Sequence, residues 1–522
     1  MHTLRRSHHP RRCPTAGTRI FLAAVLALAS HPLPGCNGGA APTPSTPQGV
    51  SPEGGREDWF SLRLNGQSAG FSRQREERLP DGAVATSVFQ RLVIRRGAEP
   101  VTMEIESRIE ETAQGAIRGY RLVQRMAAAD EVTEGVLRGD RMEITSRNAG
   151  SPRKTEIPFD PAAVGPHRLE RMMREGLHRS GDTLSATTFF PEKASCGKAA
   201  AVLGSEEDVE FPGGPRRLVR RTTRIDILPG IEILEWIDGA GEIWKTTLPL
   251  PGMSIETYRS TAEGILREKQ ASPPEIFFAS SIRPDRPPRN PSSAPALTYR
   301  FTLKQGTFRD RGIDGVFRGT GQEVLREESP ASRVVRISKV LPKIPVTRPV
   351  APPRGEEGSA APGVYIQSDD PLVQRLAREA AGEGTDAFAT ALRLERWVRE
   401  HVNFKDLKTA FASAREVAER LEGDCTEHGV LLAALARASG IPARVVSGLV
   451  WYEGAFVGHL WTEVYIDRWI PLDGTRGQGE VGPDHIAITA SALAGVSAAD
   501  LFFDMVQVIG NLRIDVMEST DR

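Results

Sequence analysis

The chain has 522 residues, with 67 Lys and Arg against 67 Asp and Glu, so its formal net charge is zero. No basic field points to nucleic acid. No Walker-type loop, dinucleotide fingerprint, Cys-x-x-Cys pair or metal-ligand cluster signals a bound nucleotide, organic cofactor or metal, and none is expected. A hydrophobic share of 39% with 26% charged residues suits soluble globular domains.

The chain opens with a basic stretch, Arg5, Arg6, Arg11, Arg12 and Arg19, followed by an apolar run from Ile20 to Ala29. That run is too short to cross a bilayer as a helix and reads as the core of an export signal. Leu33-Pro34-Gly35-Cys36 resembles a bacterial lipobox, which implies lipidation at Cys36 after cleavage. Residues 1–36 are therefore assigned as signal peptide. Residues 37–56, rich in Gly, Pro, Ala, Ser and Thr, are read as a flexible tether. Asn37, rather than Asp, follows the cysteine and by bacterial sorting rules favours the outer membrane. The expected location is the cell envelope, on the periplasmic or outer-membrane side, with the lipid anchor as the membrane contact.

Residues 57–275 read as a β-rich domain. Val101-Thr102-Met103-Glu104-Ile105-Glu106 alternates as a half-buried strand does. Turn signals recur at Pro80-Asp81-Gly82, Arg96-Gly97 and Arg138-Gly139-Asp140. Ile231–Ile237 and Glu242–Leu250, joined by Asp238-Gly239-Ala240-Gly241, form a predicted hairpin. Pro166–Gly176 reads as a short helix. The expectation is a large, curved antiparallel sheet around a helix, acting as scaffold or partner-binding surface.

Residues 276–345 form a smaller β unit with a linker at Ser281–Pro295 and predicted strands at Leu297–Leu303, Gly315–Arg318 and Ala331–Val340. A Pro-rich linker, 346–363, follows. The last domain, 364–522, opens with helices. Asp369 and Pro371 start one, and Thr385 or Asp386 another. Ser413 with Glu416 makes a capping box for a third. Strands then follow at Arg444–Val450, His459–Ile466 and Trp469–Leu472, giving an α+β domain. Leu501–Ile509 fits either a helix or a strand.

The chemistry concentrates between these elements. Gly423-Asp424-Cys425-Thr426-Glu427-His428 precedes the apolar run Val430–Ala438. Asp424 with Glu427 reads as a capping box, which puts Cys425 on the first turn of a buried helix that stops at Gly440. The positive helix end favours a thiolate there, and the unpaired N–H groups suit an oxyanion. His459 opens the next predicted strand, and Asp473 ends the one after. Nucleophile, base and orienter thus come in order on three elements. Register tests this reading. A two-residue loop at Asp467-Arg468 sets Asp473 opposite Thr462, on the wrong face. A three-residue loop, Ile466 to Arg468, sets it opposite Trp461, one diagonal step from His459, so catalysis predicts that loop or a compensating bulge. Four cysteines occur. Cys13 leaves with the signal and Cys36 carries lipid, so Cys196 and Cys425 remain, both expected as free thiols.

From about Leu394 to Thr489 the sequence resembles the transglutaminase-like (papain-related) superfamily of bacterial exported proteins. The resemblance rests on Gly423-Asp424-Cys425, the run Arg437–Gly448, His459-Leu460-Trp461-Thr462-Glu463-Val464, Trp469-Ile470-Pro471-Leu472-Asp473 and the continuation Gly474–Gln478 with Asp484-His485-Ile486. It implies a papain-like core with Cys425 as nucleophile, His459 as base and acid, and Asp473 as orienter. Two positions depart from the pattern: Leu460, where a small residue is common, and Gly474, where proline is usual. Trp59–Gly66 with Gly70-Phe71 is similar to β domains that precede such cores in bacterial lipoproteins. The implied function is thiol acyl transfer on amide bonds of proteins or peptides, peptidoglycan peptides included. It runs as a protease or amidase, or as a transglutaminase. The competing class is a non-catalytic cell-envelope binding protein with a degenerate transglutaminase-like domain.

Overall fold

The computed structural model describes residues 56–96, 99–211, 213–268, 273–274, 281–404, 411–495 and 499–517. The predicted signal, Cys36 and nearly all of the tether lie outside them. No helix among the described residues is long and apolar enough to cross a membrane.

The first domain is a single antiparallel sheet made of two meanders. One runs through β1 (Arg56–Leu64), β2 (Gln67–Arg78), β3 (Val84–Arg96), β4 (Glu99–Glu111), β5 (Ile117–Arg125), β6 (Glu131–Arg138), β7 (Arg141–Arg147) and β8 (Arg153–Pro158). The other runs through β9 (Thr183–Phe190), β10 (Ser195–Val209), β11 (Arg216–Ile225), β12 (Glu232–Ile237), β13 (Ile243–Leu250) and β14 (Met253–Ser260). The pair β1/β14 joins the two halves, and β8 and β9 are the outer edges. Period-two burial sets the faces: Val101, Met103, Ile105 and Ile109 of β4 point inward. Helix α1 (Pro166–Gly176), started by Pro166, packs against the outer strand β9 and against β3 and buries Leu169 and Met173. Val164, just before it, bridges to Ala116 of the first half and to Thr188 of the second. The helix is also held by charge. Arg221 on β11 places its Nε 2.8 Å from Glu235 and its Nη2 3.4 Å from Glu170 of α1, all buried. Helix α2 (Ala262–Glu268) ends the domain.

The smaller unit has β15 (Ala296–Leu303), β16 (Gln322–Ser329) and β17 (Ser332–Ser338). The strand expected at Gly315–Arg318 is a turn. Its apolar residues serve instead as a plug: Phe317 is fully buried and stacks on Phe301 at 4.0 Å. The C-terminal region continues with α3 (Pro371–Ala381), α4 (Ala387–His401), β18 (Asn403–Phe404), α5 (Ala414–Arg420), β19 (Glu422–Gly423) and α6 (Cys425–Ala438). It closes with β20 (Ala443–Tyr452), β21 (Ala455–Tyr465), β22 (Trp469–Leu472), β23 (His485–Ser491), α7 (Ala499–Val508) and β24 (Leu512–Met517). Its sheet has the order β22-β21-β20-β23, and α6 packs against β21 and β20. The segment left open between helix and strand is thus the helix α7. Strand β24 departs from the expected domain division, because it pairs with β15 and completes the smaller sheet in the order β16-β17-β15-β24.

Both predicted linkers are packed straps. Backbone bonds tie Arg348 to Thr385, Ala387 to Val346, and Val350 to Gly440. Ile282 exchanges two backbone bonds with Phe456. Proline suits such straps, since a chain with few free N–H groups loses little by running along a surface without a ladder.

The β domain meets the α+β core through polar bonds. Tyr365 Oη donates to Glu131 at 2.5 Å, Gln367 Nε2 to the Asn148 carbonyl at 3.0 Å, and Ala129 N to Glu416 at 2.8 Å. Burial, with the charge of Glu416 adding, raises the Glu131 carboxyl from 4.5 to about 7 despite the tyrosine bond. The folded chain then keeps a proton that the unfolded chain releases between those values. Stability is greatest below the lower value and falls as pH rises through the window, by up to about 3 kcal/mol. Glu131→Gln removes the titration while keeping an acceptor for Tyr365. The variant is expected to gain thermal stability over wild type at pH 8 and little or none at pH 4.5, read as melting temperature by circular dichroism.

Candidate active site

The start of α6 is built as its sequence requires. The Asp424 side chain accepts from Thr426 N at 2.9 Å, and Glu427 accepts from Asp424 N at 3.0 Å, which completes the capping box. Glu427 also accepts from Ala412 N at 3.0 Å, tying the helix start to the segment before α5. A Cβ at Gly423 would lie 2.2 Å from Glu427 Cβ, so only glycine admits the cap. Cys425 is the first residue of α6 and fully buried. Its sulfur is reached by a backbone hydrogen bond from Leu460, which places it beside the His459–Leu460 peptide. Burial, and then the charge of Asp424, push the thiol well above its usual range. This overrides the thiolate-favouring effect expected from the helix end. Cys425 and Cys196 are both free thiols.

His459 lies on β21. Tyr465 pairs with Trp469 across a three-residue loop, and Thr462 pairs with Leu472. Asp473 therefore follows in register opposite Trp461, on the side of the sheet that His459 shares. His459 Nε2 is 3.0 Å from Asp473 Oδ2. A carboxylate accepts only, so Nε2 carries the hydrogen and Nδ1 the lone pair. Nδ1 is buried without a hydrogen-bond partner among the described residues. The indole Nε1 of Trp461, two residues on, is likewise buried and has no hydrogen-bond partner among the described residues. Burial lowers the affinity of His459 for a second proton, and the carboxylate offsets this only in part.

Asp473 collects more partners than the sequence suggested. Its Oδ1 accepts from Thr475 N at 2.9 Å and Thr475 Oγ1 at 2.7 Å. Its Oδ2 also faces His485 Nε2 at 3.2 Å and Arg476 Nε at 3.6 Å. Burial alone would raise this carboxyl, but the two histidines hold it well below the usual range. Its backbone N–H donates to Glu395 of α4 at 3.0 Å. Glu395 is itself raised to about 7 by burial and by the charge of Asp473. The second ring nitrogen of His485, Nδ1, is 2.9 Å from Asp484 Oδ1. Asp484 Oδ2 accepts from Ser292 Oγ at 2.6 Å and Arg476 Nη1 at 2.5 Å.

Sequence reasoning quoted Asp484-His485 and Arg476 but gave them no role, and it missed Glu395. The available signal was an Asp-His pair opening a strand beyond the presumed orienter. The ligand atoms of His459, Asp473 and His485 all lie within 4.8 Å of one another, a cluster that the scattered histidines of the sequence concealed. Direct hydrogen bonds among the three account for that convergence.

Gly448 makes this meeting of strands feasible. It pairs with His459 on one side and Ala487 on the other, so it lies between the two histidine-bearing strands. A Cβ there would lie 2.3 Å from the Ile486 carbonyl oxygen and 2.6 Å from Trp461 Cη2. Gly448→Ala must displace β23 or the indole, at a cost of ~1–3 kcal/mol. The expected result is a melting temperature lowered by roughly 3–10 °C, with altered near-ultraviolet circular dichroism from the Trp461 environment. An unchanged melting profile would contradict the packing described.

A helix-borne cysteine set against a sheet-borne histidine–aspartate pair defines an α+β core of papain-like arrangement. The family comparison agrees: residues 374–474 match the transglutaminase-like superfamily, so the C-terminal core is transglutaminase-like. No curated protein matches the sequence. Among solved structures, similarity extends to a candidate cysteine protease of Cytophaga hutchinsonii, with 22% identity over 44% of this chain and 90% of that one, TM-score 0.28. The periplasmic domain of TgpA from Pseudomonas aeruginosa, bound to ethylmercury, matches at 17% identity over 38% and 83%, TM-score 0.24. A β-barrel-like protein of Brucella abortus, of a domain family of unknown function, matches at 12% identity over 39% and 95%, TM-score 0.30.

Proposed function

We propose that this protein is an exported thiol acyl-transfer enzyme acting on amide bonds of proteins or peptides, with Cys425, His459 and Asp473 as its catalytic residues. The observation that carries the reading is the state of His459. Its Nε2–H is fixed on Asp473, its Nδ1 lone pair is unpartnered, and the Cys425 sulfur lies at the neighbouring peptide. In the reaction His459 Nδ1 takes the thiol proton as the sulfur attacks the amide carbonyl carbon. The N–H of Cys425 stabilises the oxyanion, since those of Thr426, Glu427 and His428 are taken by Asp424, and the indole N–H of Trp461 is a second available donor. Collapse breaks the C–N bond. The imidazolium returns its proton to the leaving amine, and a thioester remains. Water, activated by His459, then releases the acid, or an amine takes the acyl group. Water is the default acceptor, which favours hydrolysis.

The basic and apolar chain start with its lipobox-like Cys36 supports action in the cell envelope, anchored by lipid. Envelope proteins and peptidoglycan peptides are the substrates within reach of such an anchor.

A second reading is favoured by one observation. Cys425, His459 and Asp473 are all buried, at 0%, 3% and 2% exposure. A closed site with a protonated thiol also fits a non-catalytic envelope-binding protein. Two assays on the purified chain separate the readings: release of peptides from casein and from peptidoglycan stem peptides, and incorporation of a fluorescent amine. Cys425→Ala and His459→Gln are expected to lower the active one by ~10³-fold or more. Equal turnover in the wild type and both variants, or none in any, would favour the binding protein.

The buried thiol carries its own expectation. Because its proton is held above the usual range, iodoacetamide should label Cys425 slowly at pH 7 and faster as pH rises past 9 in the resting protein. Rapid labelling below pH 7 would mean a preformed thiolate–imidazolium pair and would contradict a neutral resting dyad. Mass spectrometry of tryptic peptides reads this site apart from Cys196.

A further inference from the structure

Beyond the three catalytic residues, the site holds a second buried histidine, and its surroundings dictate its charge. Both ring nitrogens of His485 face carboxylate oxygens: Nε2 is 3.2 Å from Asp473 Oδ2, and Nδ1 is 2.9 Å from Asp484 Oδ1. An ionised carboxylate offers no hydrogen, so a neutral ring would turn a lone pair on one of them. Neither acid is free to supply that hydrogen. Asp484 is held ionised by Arg476, whose Nη1 is 2.5 Å away, and also receives the Ser292 hydroxyl. Asp473 already accepts from His459, Thr475 N and Thr475 Oγ1.

We propose that His485 is a positioning residue, an imidazolium clamped between Asp473 and Asp484 that fixes the Asp473 carboxylate for His459. The inference rests on the catalytic reading of Cys425, His459 and Asp473, and it assigns the device that tunes that set. The groups facing His485 are Asp473 beyond β22, Asp484 beside it, His459 and Trp461 on β21, and Arg476 in the intervening loop, with Ser292 and Glu395 behind the two aspartates. The two carboxylates outweigh burial and raise the affinity of His485 for its proton.

The consequence lies on His459. The two imidazole rings are 5.7 Å apart. A permanent cation at that range opposes a second proton on His459 and keeps it a neutral base. The cation also shares Asp473, so that this carboxylate orients His459 without drawing the thiol proton across at rest.

The test is histidine 15N NMR on the full chain, in wild type, His485→Gln, Asp484→Asn and His459→Gln. In wild type one buried histidine should show both ring nitrogens protonated throughout pH 5–8. That signal should vanish in His485→Gln, persist in His459→Gln, and become neutral near pH 7 in Asp484→Asn, which keeps the ring in place. The titration of His459 should move up by about one unit in His485→Gln, because a like charge has been removed. The acid limb of Cys425 alkylation should move in the same direction. A role in packing alone would lower stability and leave both pH profiles where they were. A neutral His485 at pH 7 in wild type, or an unshifted His459 titration in folded His485→Gln, would overturn the proposal. Since the NMR readout needs no substrate, an imidazolium that persists in a protein without amide-bond activity would overturn the catalytic reading and leave the clamp standing.

Discussion

One buried carboxylate organises the C-terminal half of this protein. Asp473 is an ionised group with almost no solvent contact, and removing such an ion from water costs several kcal/mol. That cost is offset only if charge-assisted hydrogen bonds surround it. The structure supplies them from both sides. Thr475 caps one oxygen, two imidazoles share the other, and Arg476 stands behind. These donors come from three stretches of chain: His459 from β21, Thr475 and Arg476 from the loop after β22, and His485 from β23. The position of β21, the loop after β22 and the start of β23 are thereby fixed against one another.

The same accounting decides the state of the thiol. A helix end contributes ~0.3–1 kcal/mol to a charge, and up to ~2 kcal/mol in partly buried sites. Full burial of an ionisable group shifts it by several pH units, each worth about 1.4 kcal/mol. Cys425 is fully buried and lies beside the charged Asp424, so desolvation wins and the resting sulfur keeps its proton. A neutral thiol and a neutral imidazole are consistent with each other, because neither leaves a charge stranded in the interior. On the proposed thiol acyl-transfer reading, entry of a substrate must open the site, and the gain from solvation or an oxyanion comes at that moment.

Much of the core was legible in the sequence because its signals are local. The capping boxes at Asp424 and Ser413, the glycine after α6 and the helix at Pro166–Gly176 each depend on residues within one or two turns. The three-residue loop was also within reach, as one of the two ways, with a compensating bulge, to put Asp473 on the face of His459. What escaped was non-local. His485 reaches Asp473 although two strands, β21 and β20, separate β23 from β22 in the sheet, and no spacing in the chain encodes that crossing. The pairing of β24 with β15 joins segments about two hundred residues apart and was hidden for the same reason. The straps misled because proline and arginine content marks a lack of ladder bonds, which a packed strap and a free linker share.

Those non-local pieces bear on the departures from the family pattern. Leu460, where a small residue is common, is buried against α6, and a Cβ at Gly429 would lie 2.4 Å from its Cδ2. The bulk beside the histidine is thus matched by its absence on α6, one turn beyond Cys425. Thr462 Oγ1 donates to the Gly429 carbonyl at 2.8 Å and holds strand to helix at that contact. Gly474 is explained in a similar way. Its Cβ position lies 3.1 Å from Val398 Cγ1 and 3.5 Å from the His428 carbonyl, so a proline ring would crowd α4 and α6 where they meet behind Asp473. The smaller sheet closes the other side, with Tyr299 Oη donating to the Pro483 carbonyl at 2.8 Å and Ser292 to Asp484. Both departures are therefore exchanges of volume between neighbours beside His459 and Asp473, while Ser292 of the first strap and Tyr299 of β15 hold the segment that carries the outer carboxylate, Asp484.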